Sequence, residues 1–475
     1  MGVLTQKLKQ ELIQALSDIV GERNLLQGEA LNQRSRHFND ARPPEALALV
    51  MPTTTEQVSK VLAACNSENQ SLVTHGGLTG LVGGEQSTTD DVVLSLERMT
   101  KIENIDLQSS TMTVQAGCIL ETVQKAAADA DKYFPLDLGA RGSCTIGGNI
   151  ATNAGGLSVL RYGMMRNQVL GLEAVLADGT VMSSLNQMLK NNAGYDLKQL
   201  FIGSEGTLGV VTRAVLRLQP APSSVQTALL AFDQFSQITA TLDTLSSKLN
   251  GQLSAFEIIW NNFYRLSTAN NSKSSPPLDN HYPFYAVVES RGADVQQDEV
   301  VFNQAIEQLA EAGAITDATI AQSSQQSRQI WEIRENVECT KHYGARFRYD
   351  ISLPVASMDH YIAELEAALV KQLPNLIFCV YGHIADGNLH LQIAPQEQAI
   401  TNDAMQAAQL HDHVNQLVYQ PLQALGGSIS AEHGIGKIKK AYLHLCKSDV
   451  EISIMKQLKR SLDPKNMLNP GKIFD

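Results

Sequence analysis

Three loops rich in glycine interrupt the first half of this 475-residue chain, and they constrain its fold more than any other feature. They run from His75 to Gly84, from Gly139 to Gly156 and from Asn191 to Gly209. Glycine leaves successive backbone N–H groups unhindered, as a nest around a pyrophosphate requires. Tight turns alone would explain a single loop of this kind. Three loops so close together in the sequence predict a long ligand, such as a dinucleotide.

The first loop differs from the two common phosphate-binding motifs. It follows a predicted strand that ends near His75, but it leads through Glu85 to Asp91 into another strand rather than into a helix. It also lacks the Gly-Lys-Ser/Thr sequence of a Walker loop. A Rossmann fingerprint and a P-loop are therefore both excluded.

The composition is that of an ordinary globular protein, with 43% apolar and 18% charged residues. The 37 Lys and Arg residues against 49 Asp and Glu residues give a net charge of −12, so nucleic acid is not an expected partner. Six scattered cysteines without a Cys-x-x-Cys pair predict reduced thiols, and no apolar run reaches the ~18 residues of a membrane span. We therefore expect a cytoplasmic protein without a membrane span.

Hydrophobic patterns predict an α+β fold with two domains. Strand, helix and strand signals at residues 46–51, 54–68 and 71–75 open the first domain. Beyond about Pro220 the glycine clusters stop, and strands alternate with long polar helices. We place the domains at residues 1–220 and 221–424 and expect residues 425–475 to pack back on the first. Residues 268–280 are predicted to form an exposed loop.

Two histidines flank a predicted hairpin turn in the second domain. In the sequence from Tyr381 to Leu391, Asp386-Gly387 is a dipeptide favoured in two-residue hairpin turns. If these residues form the turn, His383 lies directly opposite His390, with Cβ atoms roughly 5 Å apart. One histidine alone is more often structural, but two opposed imidazoles are typical of a metal site.

A third ligand has a candidate source in the stretch from Ser428 to Lys437. There a carboxylate stands beside an imidazole, at Glu432 and His433, just before two glycines. Such a site also suits a hydrolase that activates water on a metal. A hydrolase, however, leaves the three glycine-rich loops unexplained.

Taken together, these motifs resemble a known family. The loop from Gly76 to Gly84, the run from Ile146 to Gly156 and the segment from Gly194 to Gly209 are similar to the FAD-binding domain of the vanillyl-alcohol-oxidase type flavoproteins. Within that family they look like the D-2-hydroxyacid dehydrogenase branch, which includes D-2-hydroxyglutarate, D-lactate and glycolate dehydrogenases. The resemblance extends from about residue 40 to the C-terminus. It implies an FAD-binding domain of two subdomains and an α+β substrate-capping domain.

The resemblance also implies which residues bind FAD. Relatives with covalent flavin carry a histidine at the position of Leu78, so we expect FAD to bind here without a covalent bond. The residues implied to wrap the pyrophosphate or to line the rest of the cofactor are His75, Gly76, Gly77, Leu78, Thr79, Gly80, Gly142, Ser143, Thr145, Gly147, Gly148, Asn149, Thr152, Asn153, Gly155, Glu205, Gly206, Gly209, Val210 and Asn469.

A metal site and a base follow from the same resemblance. It implies that His383, His390 and Glu432 bind a divalent metal, expected to be zinc, and that His433 is the base. Such a metal keeps open positions for the carboxylate and hydroxyl of a 2-hydroxyacid. The base accepts the hydroxyl proton while the C2 hydride passes to flavin N5. The residues implied to hold the substrate are Arg334, Arg348, Asn388 and Gln392.

Three positions depart from the pattern of this branch and bear on the substrate. Arg348 replaces a lysine, Glu338 lies near a position where a small hydroxyl residue is usual, and Gln392 replaces an asparagine. Two arginines suit two carboxylates, so D-2-hydroxyglutarate is the first expected substrate and D-lactate the second. Glu338 would oppose a second substrate carboxylate if it points inward.

A non-catalytic protein that binds FAD and metal is the alternative from another class. The intact His433 beside the candidate ligands argues against it. The expected partners are a small 2-hydroxyacid and an electron acceptor, for which an electron-transferring flavoprotein, a quinone and a cytochrome are the candidates. The branch often forms dimers, so a homodimer is also a candidate state.

Overall fold

The computed structural model of the chain describes residues 6–34, 43–269, 276–343, 346–395 and 404–475. Contacts between these residues define two compact units. The first unit comprises Met1–Gly156, Gly163–Ala221 and Glu432–Asp475, and the second comprises Leu157–Tyr162 and Pro222–Ala431. Residues 270–275 of the predicted exposed loop at 268–280 lie outside the described residues.

The unit boundaries differ from the sequence-based boundaries in two places. Residues 157–162 join the second unit, because Arg161 donates a hydrogen bond to the carbonyl of Arg291. Residues 425–431 also join it, because Ser428 pairs with Ser352 through two backbone hydrogen bonds of 2.7 and 3.0 Å.

The β-strands of the described residues are β1 (Leu25–Leu26), β2 (Ala48–Val50), β3 (Leu72–His75), β4 (Val92–Ser95), β5 (Ile102–Asp106), β6 (Thr111–Gln115), β7 (Lys132–Tyr133), β8 (Val169–Val175), β9 (Val181–Ser184), β10 (Val210–Arg217), β11 (Gln219–Pro220), β12 (Ser224–Phe232), β13 (Leu253–Trp260), β14 (Phe284–Gly292), β15 (Asp317–Ile320), β16 (Phe347–Ser352), β17 (Leu376–His383) and β18 (Asn388–Pro395).

The α-helices of the same residues are α1 (Gln6–Val20), α2 (Glu29–Asn32), α3 (Thr55–Ser67), α4 (Leu120–Ala128), α5 (Ile146–Thr152), α6 (Val159–Tyr162), α7 (Met165–Gln168), α8 (Lys198–Phe201), α9 (Phe235–Lys248), α10 (Asn261–Ser267), α11 (Val295–Glu311), α12 (Ser324–Glu335), α13 (Met358–Gln372), α14 (Ala404–Ala424) and α15 (Asp449–Leu462). Among the described residues, none of these helices combines the length and hydropathy that a membrane crossing needs.

Two main sheets build the first unit. The first has the order β1-β2-β4-β3, in which β2 and β3 run parallel to β4. The second has the order β5-β6-β10-β8-β9 and is antiparallel throughout. The C-terminal segment joins the first sheet, since Leu468 forms a parallel bridge with Leu72. Strand β3 of this sheet ends at His75, where the first glycine-rich loop begins.

Helix α3 shows how the sequence sets an element of this unit. The Thr54 hydroxyl caps its first turn by accepting a hydrogen bond from Gln57 N at 3.2 Å. Its apolar residues recur at helical spacing, so one face of the helix is buried in the core together with α1. The buried residues of α3 are Val58, Val61, Leu62 and Cys65.

One antiparallel sheet of order β15-β12-β14-β13-β17-β18-β16 organises the second unit. Its two faces are covered differently. On one face, α10 and α12 enclose an aromatic core that includes Tyr264, Tyr285 and Tyr381. On the other face, the Tyr349 hydroxyl donates to Asn415 of α14 at 2.8 Å. Residues that pair across strands share a face, so the register decides which side chains meet.

The hairpin between β17 and β18 has a different register from the one predicted. His383 pairs with Asn388 and Tyr381 with His390, a shift of two residues. The predicted turn needs positive φ at both central residues, but only Gly387 has it (φ 82°). The loop instead spans four residues, with a 3-10 turn at Ile384–Asp386 that Gly387 closes. A shift of two residues preserves the side-chain alternation, so His383 and His390 still share a face.

Candidate active site

The first two glycine-rich loops meet within the first unit. A Cβ atom on Gly76 would lie 2.7 Å from Thr145 Oγ1, and one on Gly77 would lie 2.1 Å from Ser143 O. Only glycine therefore fits at these two positions. The next residue, Leu78, has a left-handed backbone with φ 56°, which is rare for a residue with a side chain. Strained residues of this kind are often found at ligand-binding sites.

The second loop continues into the short helix α5. Thr145 caps this helix by accepting from Gly148 N at 3.4 Å, and Asn153 ends it in a left-handed conformation. Helix α5 packs closely against the residue after β6, because a Cβ on Gly147 would lie 2.7 Å from Ala116 Cβ. The Thr152 hydroxyl donates to Gly148 O at 3.1 Å within the helix itself. Backbone groups, rather than long side chains, therefore form this part of the site.

Several residues that the resemblance assigns to FAD make protein contacts instead. His75 is buried and its Nε2 lies 2.8 Å from Glu85 O. The Asn469 amide bridges two segments, because Oδ1 accepts from Thr74 N at 2.9 Å and Nδ2 donates to Glu205 O at 2.7 Å. Val210 is the buried first residue of β10. These side chains shape the loops around the candidate cofactor site.

The segment from residue 432 to residue 438 is hydrogen-bonded to all three glycine-rich loops of the first unit. Glu432 Oε1 accepts from Gly156 N at 2.9 Å, at the end of the second loop. Glu205, in the third loop, accepts from Ile435 N at 2.7 Å and from Gly436 N at 2.8 Å. The first loop contributes Val82 O, which accepts from the N–H groups of residues 437 and 438. The candidate base thus lies on a segment tied to every candidate cofactor loop.

The second unit gathers the other candidate residues on one face of its sheet. The aromatic core covered by α10 and α12 continues along this face into a polar patch. The His383 and His390 rings are perpendicular neighbours with centroids 5.3 Å apart. The polar residues that share the face include Glu257, Arg348, Asp350, Ser352, Tyr381, His383, Asn388, His390 and Gln392.

Each of the two histidines has a buried carboxylate partner that the sequence analysis missed. His383 Nδ1 lies 2.6 Å from Glu257 Oε1, and His390 Nδ1 lies 3.8 Å from Asp350 Oδ1. An ionised carboxylate only accepts hydrogen bonds, so Nδ1 of His383 carries the hydrogen and Nε2 is the nitrogen with a lone pair. Histidines that bind metals are usually oriented by such carboxylates. A signal was present, since Glu257 is a single charge within an apolar strand.

Asn388 adds a buried oxygen to this patch. Its Nδ2 donates to Asp350 Oδ1 at 2.8 Å and to Ile351 O at 2.9 Å. Its Oδ1 is buried and has no hydrogen-bond partner within the described part of the chain. A buried polar atom without a partner is costly, which is expected where a ligand or metal completes the site. The donor set of two imidazoles, carboxylates and an amide oxygen suits a divalent metal.

The candidate substrate residues already form strong interactions. Arg334 is buried, pairs with Glu257 at 2.8 Å, and lies over the Tyr381 ring at 4.6 Å. Arg348 and Arg346 both pair with Glu338. Burial opposes ionisation of Glu338, but these two arginines outweigh it and hold the pKa of that carboxyl below its usual value. Glu338 therefore faces cations.

Gln392 ties the neighbouring segments together. Its Oε1 accepts from the Thr340 hydroxyl, and its Nε2 donates to Val337 O at 2.8 Å and to the Tyr381 hydroxyl at 3.0 Å. All of these partners lie in the second unit. Gln392 thereby connects the chain around Glu338 to the sheet.

Comparisons with known proteins define the class first. Residues 46–184 match the FAD binding domain, and residues 221–473 match the C-terminal domain of the FAD linked oxidases. The fold is similar to that of p-cresol methylhydroxylase with substrate bound, with a TM-score of 0.78 at 17% identity over 99% of this chain and 98% of that one. The fold is thus of the vanillyl-alcohol-oxidase type, as the resemblance implied, and the two matched domains define the class as an FAD-binding oxidase.

Relatives in sequence narrow this class. A mitochondrial D-2-hydroxyglutarate dehydrogenase of Danio rerio is 40% identical over 89% of this chain and 78% of its own length. A putative mitochondrial D-lactate dehydrogenase of Schizosaccharomyces pombe is 38% identical over 92% of this chain and 83% of its own length. The chain belongs to the FAD-linked oxidase family and is an FAD-dependent oxidoreductase.

Proposed function

We propose that this chain oxidises D-2-hydroxyglutarate to 2-oxoglutarate. The polar face of the second unit's sheet carries the proposal, because it brings two carboxylate-oriented histidines together with arginines that suit acidic substrates. The name of the Danio rerio relative supports the same substrate.

The chain's own residues divide the chemistry between them. FAD, when bound, supplies the two-electron acceptor for the hydrogen on substrate C2. The imidazole of His433 takes the proton of the C2 hydroxyl. The hydrogen bonded to C2 leaves with its electron pair, so the product is the 2-oxoacid. The contacts of the 432–438 segment support this role, because they hold His433 beside the cofactor loops of its own unit.

His383, His390 and Glu432 would hold a divalent metal, which we propose to be zinc. When bound, it would polarise the substrate hydroxyl and carboxylate. Two imidazole nitrogens and one carboxylate are a common catalytic zinc set. The buried Oδ1 of Asn388, beside His383 in the sheet, supports a ligand at this place.

Charge balance favours a substrate with two carboxylates. Arg334 is matched by Glu257, whereas Arg346 and Arg348 share the single carboxylate of Glu338. Arg346, Arg348 and Glu338 together therefore carry one positive charge in excess. A distal carboxylate on the substrate would balance it, and the planar fork of Arg348 could bind it through two hydrogen bonds.

D-Lactate is the second candidate substrate. The Schizosaccharomyces pombe relative carries that name, and Glu338 already occupies Arg348. Either substrate needs a final electron acceptor, for which we propose an electron-transferring flavoprotein, a quinone or a cytochrome. We further propose a cytoplasmic homodimer; the six unpaired cysteines are compatible with a reducing compartment.

A panel of D- and L-2-hydroxyacids, scored by anaerobic bleaching of the flavin, tests the proposal. We expect D-2-hydroxyglutarate to bleach the flavin fastest. Arg348→Ala should then lower kcat/KM for this acid by about 10 to 150-fold, or roughly 1.5 to 3 kcal/mol for one charge-assisted hydrogen bond. D-Lactate turnover should barely change.

A matched control separates this effect from general loss of an ion pair. Arg213 pairs with Glu103 in the first unit, so Arg213→Ala removes a similar pair that includes no candidate site residue. Equal losses on both substrates in Arg348→Ala would exclude a distal carboxylate contact. Failure of every hydroxyacid to bleach the flavin would exclude the proposed reaction.

A further inference from the structure

We propose that Glu205 is a positioning residue for His433 and makes no contact with the cofactor. This inference rests on the proposed role of His433 as the base. It reassigns Glu205, which family resemblance places among the FAD-binding residues.

Both carboxylate oxygens of Glu205 are engaged by the chain just after His433. Oε1 accepts from Ile435 N at 2.7 Å, and Oε2 accepts from Gly436 N at 2.8 Å. The side chain is buried, with the residue only 9% exposed. A carboxylate that receives two backbone N–H groups in this way orients the peptide units it holds. Those peptide units lie two and three residues from the imidazole of His433.

The backbone of Glu205 is itself fixed from two sides. Its N–H donates to Ala151 O at 2.8 Å, and its carbonyl accepts from Asn469 Nδ2 at 2.7 Å. Its φ of 52° is left-handed, which is uncommon for a glutamate and directs the side chain toward the 434–436 turn. A conformation of this kind persists only where the surroundings hold it. Glu205 is therefore a rigid support rather than an adaptable contact.

The chain after His433 leaves no room for a side chain at Gly434 or at Gly436. Gly434 has φ 87°, and a Cβ there would lie 2.8 Å from Glu205 Oε1. Gly436 has φ 51°, and a Cβ there would lie 2.2 Å from Val82 O. The Gly-x-Gly sequence thus allows the turn to lie directly on the Glu205 carboxylate. Gly434, Gly436 and Glu205 together therefore set the position of His433.

The conservative change Glu205→Gln tests this role in the flavin-loaded enzyme. Glutamine keeps the shape and one acceptor oxygen, but it turns an N–H donor toward one of the two backbone N–H groups. Misplacement of a reacting group by about 1 Å can cost 10²-fold, so we expect anaerobic flavin reduction by D-2-hydroxyglutarate to slow about 10 to 100-fold. Flavin content and the apparent Kd for substrate should stay unchanged.

A double-mutant cycle with His433→Gln shows whether Glu205 acts through His433. The loss caused by Glu205→Gln should nearly vanish when His433 is already replaced. Equal losses in both backgrounds, or loss of flavin from Glu205→Gln, would overturn the inference. Unchanged reduction in His433→Gln would instead refute the proposed base. The two failures are therefore distinguishable.

Two further variants provide a control and a substitute for Glu205→Gln. Asp91→Asn is the matched control, because Asp91 is a buried carboxylate of the same unit that accepts from Thr88 N at 2.7 Å. It should not slow flavin reduction. If Glu205→Gln does not fold, Glu205→Asp keeps the charge but shortens the reach, and it should give an intermediate loss of rate in the same cycle. A full rate in Glu205→Asp would count against the positioning role.

Discussion

Glu257 holds two candidate functional side chains at once. It binds His383 Nδ1 at 2.6 Å and Arg334 at 2.8 Å from within the buried strand β13. Burial alone would raise the pKa of this carboxyl, but the interactions with His383 and Arg334 outweigh burial and hold the pKa below its usual value. A single carboxylate therefore sets the tautomer of one candidate metal ligand and anchors one candidate substrate residue.

We expect Glu257→Gln to weaken metal binding about 10 to 100-fold, as loss of a partner that orients a metal-bound histidine generally does. Glutamine cannot neutralise Arg334, and its amide does not fix the His383 tautomer. Chelator competition followed by elemental analysis of the protein measures the change.

Glu289→Gln is the control for this measurement. Glu289 is also buried in the same sheet, where it pairs with Arg291 at 2.6 Å and accepts from Trp331 at 2.9 Å. Its replacement should leave metal affinity unchanged. An unaltered metal affinity in Glu257→Gln would show that Glu257 does not support a metal ligand.

At the scale of the elements, local sequence patterns predicted where helices and strands lie better than they predicted how the strands pair. The sequence predicts a helix at 54–68, and α3 spans Thr55–Ser67, because its cap and its apolar spacing are both local signals. The strand predicted at 71–75 is confirmed as β3, which spans Leu72–His75. The register of the hairpin at Gly387 was wrong by two residues, since turn type depends on backbone angles that Asp-Gly alone does not determine. The shared face of His383 and His390 was confirmed because an even shift preserves alternation.

Gly387→Ala should disturb this hairpin in two ways. Its φ of 82° is unfavourable for alanine, which costs about 1 to 2 kcal/mol. A Cβ would also lie 3.0 Å from Leu353 O, so the loop between the two histidines must shift. We expect a lower unfolding temperature and a lower metal affinity.

Gly251→Ala separates strain from displacement. Gly251 has a similar φ of 78°, but a Cβ there meets no atom within 4 Å. It should lower the unfolding temperature and leave metal affinity unchanged. Loss of metal affinity in both variants would mean that the hairpin geometry is not specifically required.

At the scale of the whole molecule, the sequence indicated which loops and residues matter but not how they are joined. The α+β fold and the glycine-rich loops followed from composition and pattern. The partners Glu257 and Asp350 and the contacts of Glu205 did not, because they join segments far apart in the chain. A single sequence contains no local signal for such pairs beyond an isolated charge in an apolar strand.

The stability of the whole chain should depend on pH through Lys472. Burial, reinforced by Lys437, lowers the pKa of Lys472 from 10.5 to about 8. Between these values the unfolded chain keeps a proton that the folded chain has released, so the free energy of unfolding rises with pH. The difference in unfolding free energy between the wild type and Lys472→Met should grow by no more than about 3.4 kcal/mol from pH 8 to 10.5.

Urea unfolding followed by circular dichroism at several pH values measures this difference. Lys447→Met removes a positive charge at an exposed position of the same unit and serves as the control. A difference between wild type and Lys472→Met that stays constant with pH would show that burial does not perturb Lys472.

The hydrogen bonds between residues 432–438 and the three glycine-rich loops also determine when the flavin can bind during biosynthesis. A ribosome delivers all three loops before it reaches this segment, about 220 residues after Gly209. Closing contacts over such a distance has a large entropic cost and is slow. At roughly 5 to 20 residues per second, the nascent chain exposes incomplete loops for many seconds. Flavin loading is therefore expected to follow translation, when the newly made C-terminal segment closes over the first unit.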